Sequence, residues 1–299
     1  MKNKIRIKVT LILTVLALGF MVPGYFYLSR SPVLIITDLA FVSLYGEARI
    51  KQESLISSFM LFRRVRIVLV ADDASDEIVR IAITDASSTP FCVIFPLRFI
   101  RSARIYREQN PEIPVVILEG RHSNASTDSV IGGNKNDYYI YKTDINTEFH
   151  KTGMAAASIN MGRNGKIVVF IEPQIQSQAT DAFLQGMNSF ENPPQAVFFN
   201  NFIQFSEIPD ISCVVLVGSG VEFLENNEEI PIIFFSWIDS ALLPAQTALL
   251  VNDSSLAQTV EAVRMVIAGQ KEGLLQSKFV SFKKSHIDRK ILRKIHKSG

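Results

Sequence analysis

From Val33 onward, short β-branched and aromatic runs alternate with longer stretches whose apolar positions recur every three or four residues. Such alternation is the sequence form of repeated βαβ units. The runs predict strands over 33–37, 66–70, 91–95, 115–118 and 138–141, with helices over 43–62, 75–84 and 97–109. The strands are apolar almost without a break, so both faces of the sheet are expected to be buried under helices. A second set follows a helix over 144–160: strands over 166–171, 196–199, 213–217 and 232–235, and helices over 177–190 and 220–225. The connection over 200–211 is too short for a full crossover helix, so this set is expected to be trimmed. A strand over 248–251 and a helix over 256–268 close the pattern. That helix is capped by Asp253, Ser254 or Ser255 and ended by Gly269. This last unit is expected at the lobe boundary or back on the first lobe.

At 299 residues the chain exceeds the usual size of one core, which favours two lobes. Hydrophobic content of 47% with 21 Phe supports buried sheets rather than disorder. The formal charge of +2 is small and comes from basic clusters at the two ends, so nucleic acid is not an expected partner. Cys92 and Cys213 fall in apolar strands of different lobes and are read as unpaired core residues. No zinc-ligand spacing occurs, and neither a metal nor a cofactor is expected.

Residues 1–31 form a separate unit in which Lys2, Lys4, Arg6 and Lys8 precede an apolar run from Val9 to Leu28. Twenty residues at 1.5 Å each span a bilayer core, and the basic flank keeps the start of the chain cytoplasmic. A signal anchor is the first reading, a cleaved signal peptide the second and a buried core helix the third. No small-x-small site closes the run, and no Cys follows to take a lipid. The remaining boundaries are 32–143 for the first lobe, 144–238 for the second and 239–270 for a hinge with the returning strand and helix. A basic tail occupies 271–299, read as a solvated helix or disordered tail, a contact for anionic headgroups, or a protein contact. The segment 120–137, with Gly132-Gly133-Asn134, reads as an exposed loop.

The centre of the chain carries its most specific pattern. Phe149 precedes Gly153-Met154-Ala155-Ala156-Ala157; a strand over 165–171 follows, and then Phe183-Leu184-Gln185-Gly186. The order resembles the type I periplasmic binding proteins, nearest the basic membrane lipoprotein subgroup, over residues 33–270. The resemblance implies an α/β fold of two Rossmann-like lobes with parallel sheets joined by a hinge, here with an added N-terminal hydrophobic helix. It also implies capture of a small polar ligand, nucleoside-like or sugar-like, for an ABC-type importer or a signalling partner. With an anchor, the protein would sit on the outer face of a bacterial inner membrane, and in the periplasm if cleaved. The chain departs from nucleoside-binding members in two places. Phe41-Val42 replaces an aromatic-Asn pair, and the Lys after the last strand is replaced near Asn252-Asp253, removing a charge-assisted donor.

Open parallel sheets bind ligands beyond the carboxyl ends of their strands. That rule points to Asp38, Phe41, Asp72, Asp73, Pro96, Glu119, Arg121, Asp144, Glu172, Gly218, Ser219, Trp237 and Asp239. The resemblance assigns ligand contact to Asp38 and Asp239, and Phe183 joins the candidates on its Phe-x-x-Gly helix. Phe41 and Trp237 could sandwich a planar base or the apolar face of a sugar. Each has a plainer alternative: a helix cap for Asp38, a turn for Asp239, packing for Phe41 and Trp237, and a solvated loop charge for Glu119. Asp144 is read as a hinge or cap residue, and His150 beside Glu148 as lying on a wet helix surface. No nucleophile elbow, phosphate loop or dinucleotide fingerprint occurs, so an enzyme is not expected. The alternative function is a degenerate binding fold kept as a membrane-anchored interaction or scaffold module, with Phe41, Phe95 and Trp237 filling the cleft.

Overall fold

The apolar runs assemble into two six-stranded sheets. A computed structural model describes residues 27–121, 135–161, 163–173, 175–200, 208–217, 229–236, 238, 242–282 and 287–297. Lobe 1 opens with β1 (Val33–Asp38), α1 (Leu39–Tyr45), α2 (Glu47–Leu61), β2 (Val65–Val70) and α3 (Asp76–Ala86). It continues with β3 (Cys92–Pro96), α4 (Ile100–Gln109), β4 (Val115–Gly120) and β5 (Tyr139–Thr143). The chain then crosses to α5 (Ile145–Asn160), β6 (Lys166–Phe170), α6 (Gln176–Met187), β7 (Ala196–Phe199), β8 (Ile211–Val217), β9 (Ile232–Phe235) and β10 (Thr247–Asn252). Next come α7 (Ser255–Ile267), β11 (Glu272–Leu275), β12 (Lys278–Ser281) and α8 (Arg289–Lys297). The first sheet runs β11-β5-β4-β3-β1-β2, and all its pairings are parallel. The second runs β12-β10-β9-β8-β6-β7, parallel except for β12 on β10.

Burial on both faces explains why the strands show no polar alternation. In lobe 1, Leu34 and Ile36 pack with Val79, Ile83 and Ala103 of α3 and α4, while Val33 and Ile35 face Tyr45, Leu61 and Val263 of α1, α2 and α7. In lobe 2, Ile167, Val169 and Val215 lie under α5 and α6. Each buried aliphatic side chain contributes about 1.5–3 kcal/mol. Cys92 and Cys213 are buried and unpaired, and burial pushes each thiol up to about 12.

The Gly and Ala run of α5 has a packing cause. A Cβ on Gly153 would lie 2.1 Å from the Phe183 carbonyl oxygen, and one on Gly186 would lie 2.0 Å from that of His150. The helices α5 and α6 therefore meet backbone to backbone, and only glycine fits at the crossing.

Three departures from expectation have physical reasons. The helix expected over 43–62 breaks into α1 and α2 at Gly46, whose φ of 90° leaves the helical region. The basic tail is structured: β11 completes the first sheet, β12 completes the second, and Ile291, Leu292 and Ile295 of α8 pack on lobe 2. Its apolar residues anchor it, while Arg289, Lys290, Arg293 and Lys294 stay exposed as a solvated helix face. Glu148 is buried rather than on a wet surface, because α5 is packed almost all round from residue 148 to 160, polar side chains included. The expected membrane segment lies largely outside the described residues, as do the helix expected over 220–225 and most of the loop over 120–137. Among the described residues no helix is long and apolar enough to cross a membrane.

Candidate functional site

Three crossings between the sheets bring the carboxyl ends of their strands to a common hinge: β5 to α5, β10 to α7, and β11 to β12. Asp144 caps α5 through Thr147 N at 3.0 Å, and Ser254 caps α7 through Ala257 N at 3.2 Å. Of the three cap candidates for α7, Ser254 is therefore the one used. Both short side chains accept a helix-terminal N–H that would otherwise lack a partner.

Arg121, just past β4, is the centre of the hinge. It is buried, with Nε donating to Glu148 Oε2 at 2.9 Å and Nη2 donating to Glu148 Oε1 at 3.2 Å. Nη1 pairs with Asp253 Oδ2 at 3.2 Å, Nη2 also reaches the Val251 carbonyl at 3.4 Å, and the guanidinium lies 4.9 Å from the Phe235 ring centre. Ser277 Oγ donates to Glu148 Oε1. One lobe 1 cation thus holds α5, β10 and the last crossing together. Burial works against its charge, but Asp253 and Glu148 outweigh that and bind its proton more firmly. For Glu148, burial is the larger influence and pushes the carboxyl up to about 7 against the pull of Arg121.

A second polar cluster flanks the hinge. Tyr45 donates to Glu53 Oε2 at 2.7 Å and accepts from Asn252 Nδ2 at 3.2 Å. Glu53 also pairs with Lys278 of β12 at 3.2 Å, and Arg49 donates to the Ile238 carbonyl at 3.2 Å. These bonds run from α1 and α2 to lobe 2.

Across the carboxyl edge of the first sheet, neighbouring strands alternate in charge: Asp38 ends β1, Arg98 follows β3, Glu119 lies on β4 and Lys142 on β5. Asp38 does cap its helix, accepting from Phe41 N at 2.8 Å, and its other oxygen pairs with Arg98. Glu119 pairs with Lys142 at 3.2 Å. Both carboxylates are buried, while both cations are nearly half exposed. The acids thus hold the cations in place, and the cations are the groups a ligand could reach. Asp72 Oδ1 accepts from Ala40 N at 2.9 Å, tying the β2 end to α1.

The described aromatic candidates pack into the cores. Phe41 stacks on Tyr45 at 4.8 Å inside the lobe 1 core, and Phe183 is fully buried edge-on to Phe198 in lobe 2. Both positions fall on helix faces that the sheets require to be apolar. Phe95 is buried under α4 against Tyr106. Trp237 and Asp239 lie outside the described residues. Sequence reasoning placed Arg121 among the strand-end residues but missed Glu148, whose first-turn position among Asn146, Thr147, His150 and Lys151 reads as an ordinary wet helix start.

No family model matches the chain, and no curated protein matches it. Solved structures do. An ABC transporter system solute-binding protein from Conexibacter woesei superposes with a TM-score of 0.60 at 11% identity, covering 89% of this chain and 94% of its own. A transcriptional activator of the comK gene from Bacillus halodurans gives 0.55 at 12%, covering 89% and 95%. The fold is that of the type I periplasmic binding proteins. A periplasmic solute-binding protein from Actinobacillus succinogenes, with bound D-allose, gives 0.51 at 11%, covering 86% and 99%. At these identities the likeness is one of fold, and it carries no support for the basic membrane lipoprotein subgroup.

Proposed function

We propose that the chain is an extracytoplasmic binding protein that captures a small polar, hydroxyl-bearing ligand between its lobes without chemical change. The observation that carries this reading is the charged row at the carboxyl edge of the first sheet, beside a hinge crossed three times. Buried Asp38 and Glu119 fix Arg98 and Lys142 as oriented donors, an arrangement suited to sugar hydroxyls or an anionic group. The sugar bound by the Actinobacillus succinogenes neighbour supports a sugar-like ligand over a nucleoside. The expected recipient is an ABC-type importer or a signalling partner, and the apolar run Val9 to Leu28 is read as the tether to a bacterial inner membrane.

A second reading, a binding fold kept as an interaction module, is favoured by one observation. Arg121, the most central cation, is already engaged by Glu148, Asp253 and the Val251 carbonyl. Thermal-shift measurements against sugars, nucleosides, amino acids and short peptides separate the two. A true ligand at 100 times its Kd raises stability by about 2.7 kcal/mol. Arg98→Ala or Lys142→Ala should then abolish the ligand-induced shift, measured against each variant's own unliganded melting point, which falls as the buried acid loses its partner. Silence across the panel with an empty cleft would leave the interaction module.

A further inference from the structure

The last two turns of α2 expose apolar side chains that the fold does not use. Phe59 is 85% exposed and Leu55 71%, with Ile56, Met60 and the capping Phe62 beside them. The first turns of the same face instead carry Glu47, Lys51 and Gln52, so the helix grades from polar to apolar toward its carboxyl end. Leu55 also opens into an apolar groove of about 670 Å³ beside β2, walled by Val42, Ile50, Ile67 and Leu69. A contiguous surface of this kind marks a contact rather than chance exposure.

What covers it follows from where the chain comes in. The apolar run read above as the tether ends at Tyr27 and Leu28, and the Tyr27 ring packs edge-on to Phe62 with centroids 5.9 Å apart. Phe62 closes α2, and Val33 N then bonds the Arg64 carbonyl as β1 begins. Arg30 lies over the Phe62 ring, and Arg63 donates to the Ser31 carbonyl and lies over Phe91. Among the described residues, Arg30, Arg63 and Arg64 have no carboxylate partner. A span ending at Tyr27 therefore leaves the bilayer against the apolar end of α2, with unpaired cations at headgroup level. We propose that the carboxyl end of α2, Leu55 to Phe62, lies in the headgroup region of an anionic bilayer and seats lobe 1 on the membrane. The six residues of β1, at about 3.3 Å each, then hold the charged row about 20 Å above it.

The proposal rests on the tether reading, and one experiment separates the two. The full chain carrying Trp237→Phe and Phe59→Trp is reconstituted in phosphatidylglycerol and phosphatidylethanolamine vesicles with brominated acyl chains. Met161→Trp in the same background is the control, since Met161 is an exposed lobe 2 residue. At the depth of an interfacial helix, about 5–10 Å into the headgroup and acyl boundary, the Trp at 59 loses most of its fluorescence while the control keeps it. Protein that floats with the vesicles but shows equal quenching at both positions keeps the tether and overturns the seated face. Protein that does not float removes the tether and the proposal with it. Concentration-dependent self-association that shields position 59 from bromine assigns the face to a second copy and also overturns the proposal.

Discussion

Gly153→Ala tests the packing that sets the shape of lobe 2. Its new methyl would lie 2.1 Å from the Phe183 carbonyl oxygen, where a carbon and an oxygen rest at about 3.3 Å. The obstacle is backbone, so no side chain can swing aside, and α5 and α6 must part by about 1 Å along a crossing that buries Phe183, Met187 and Ala156. Overpacking against a movable neighbour costs about 1–3 kcal/mol, and a rigid one places this change at or above the upper end, about 4 kcal/mol. Alanine returns about 1 kcal/mol of helix propensity, leaving a net loss of about 3 kcal/mol. Followed by far-UV circular dichroism, the melting point should fall by about 6–12 °C. Gly186→Ala forces the same two helices apart through the His150 carbonyl, so the double variant should lose less than the sum of the singles. Gln185→Ala, exposed on the same helix, is the control and should stay within about 0.5 kcal/mol. A Gly153→Ala protein that melts at or above the unsubstituted temperature would show that the helices part freely, and the account of the small-residue motif would fail.

Arg121→Met should cost about 3–5 kcal/mol in urea unfolding, because it leaves Glu148 and Asp253 facing one another in a buried hinge; a change under 1 kcal/mol would show that the hinge is wet. Glu148, raised to about 7, holds a proton in the folded protein that it has lost in the unfolded chain between the ordinary carboxylate range and neutrality. Its contribution is therefore fully present at low pH and is lost as pH rises through about 7. Stability should fall from pH 6 to pH 8 in the unsubstituted protein and change less in Glu148→Gln, and parallel curves would refute that origin. Asp38→Ala removes the α1 cap and should cost about 0.5–2 kcal/mol, whereas Asp38→Asn, which keeps an acceptor, should lose less. Equal losses from the two would place the effect in the Arg98 pair instead.

The sheets were legible because parallel strands buried on both faces leave unbroken apolar runs, as in Val33 to Ile36 and Cys213 to Val217. The caps were legible for a local reason: Asp38, Asp144 and Ser254 act on amides three residues away. The hinge was not, because Arg121, Glu148, Asp253 and Ser277 lie on separate elements and meet only through topology. Phe41 and Phe183 lie in the core, and their burial was hard to read because an aromatic near a strand end looks alike whether its helix turns it toward the core or the cleft. The end of the chain resisted reading because β11 and β12 are four residues each, and their burial comes from the edges they join rather than from any period of their own.

Those two short strands also set the order in which the molecule can be made. Synthesis delivers β1 to β5 first, but the apolar face around Tyr141 is covered only when Leu256, Val263 and Leu275 have emerged, more than a hundred residues later. Lobe 2 waits in turn for β12 and α8. Neither half can finish until β11, β12 and α8 have emerged, so both sheets stay open at an edge while everything before residue 272 is being made.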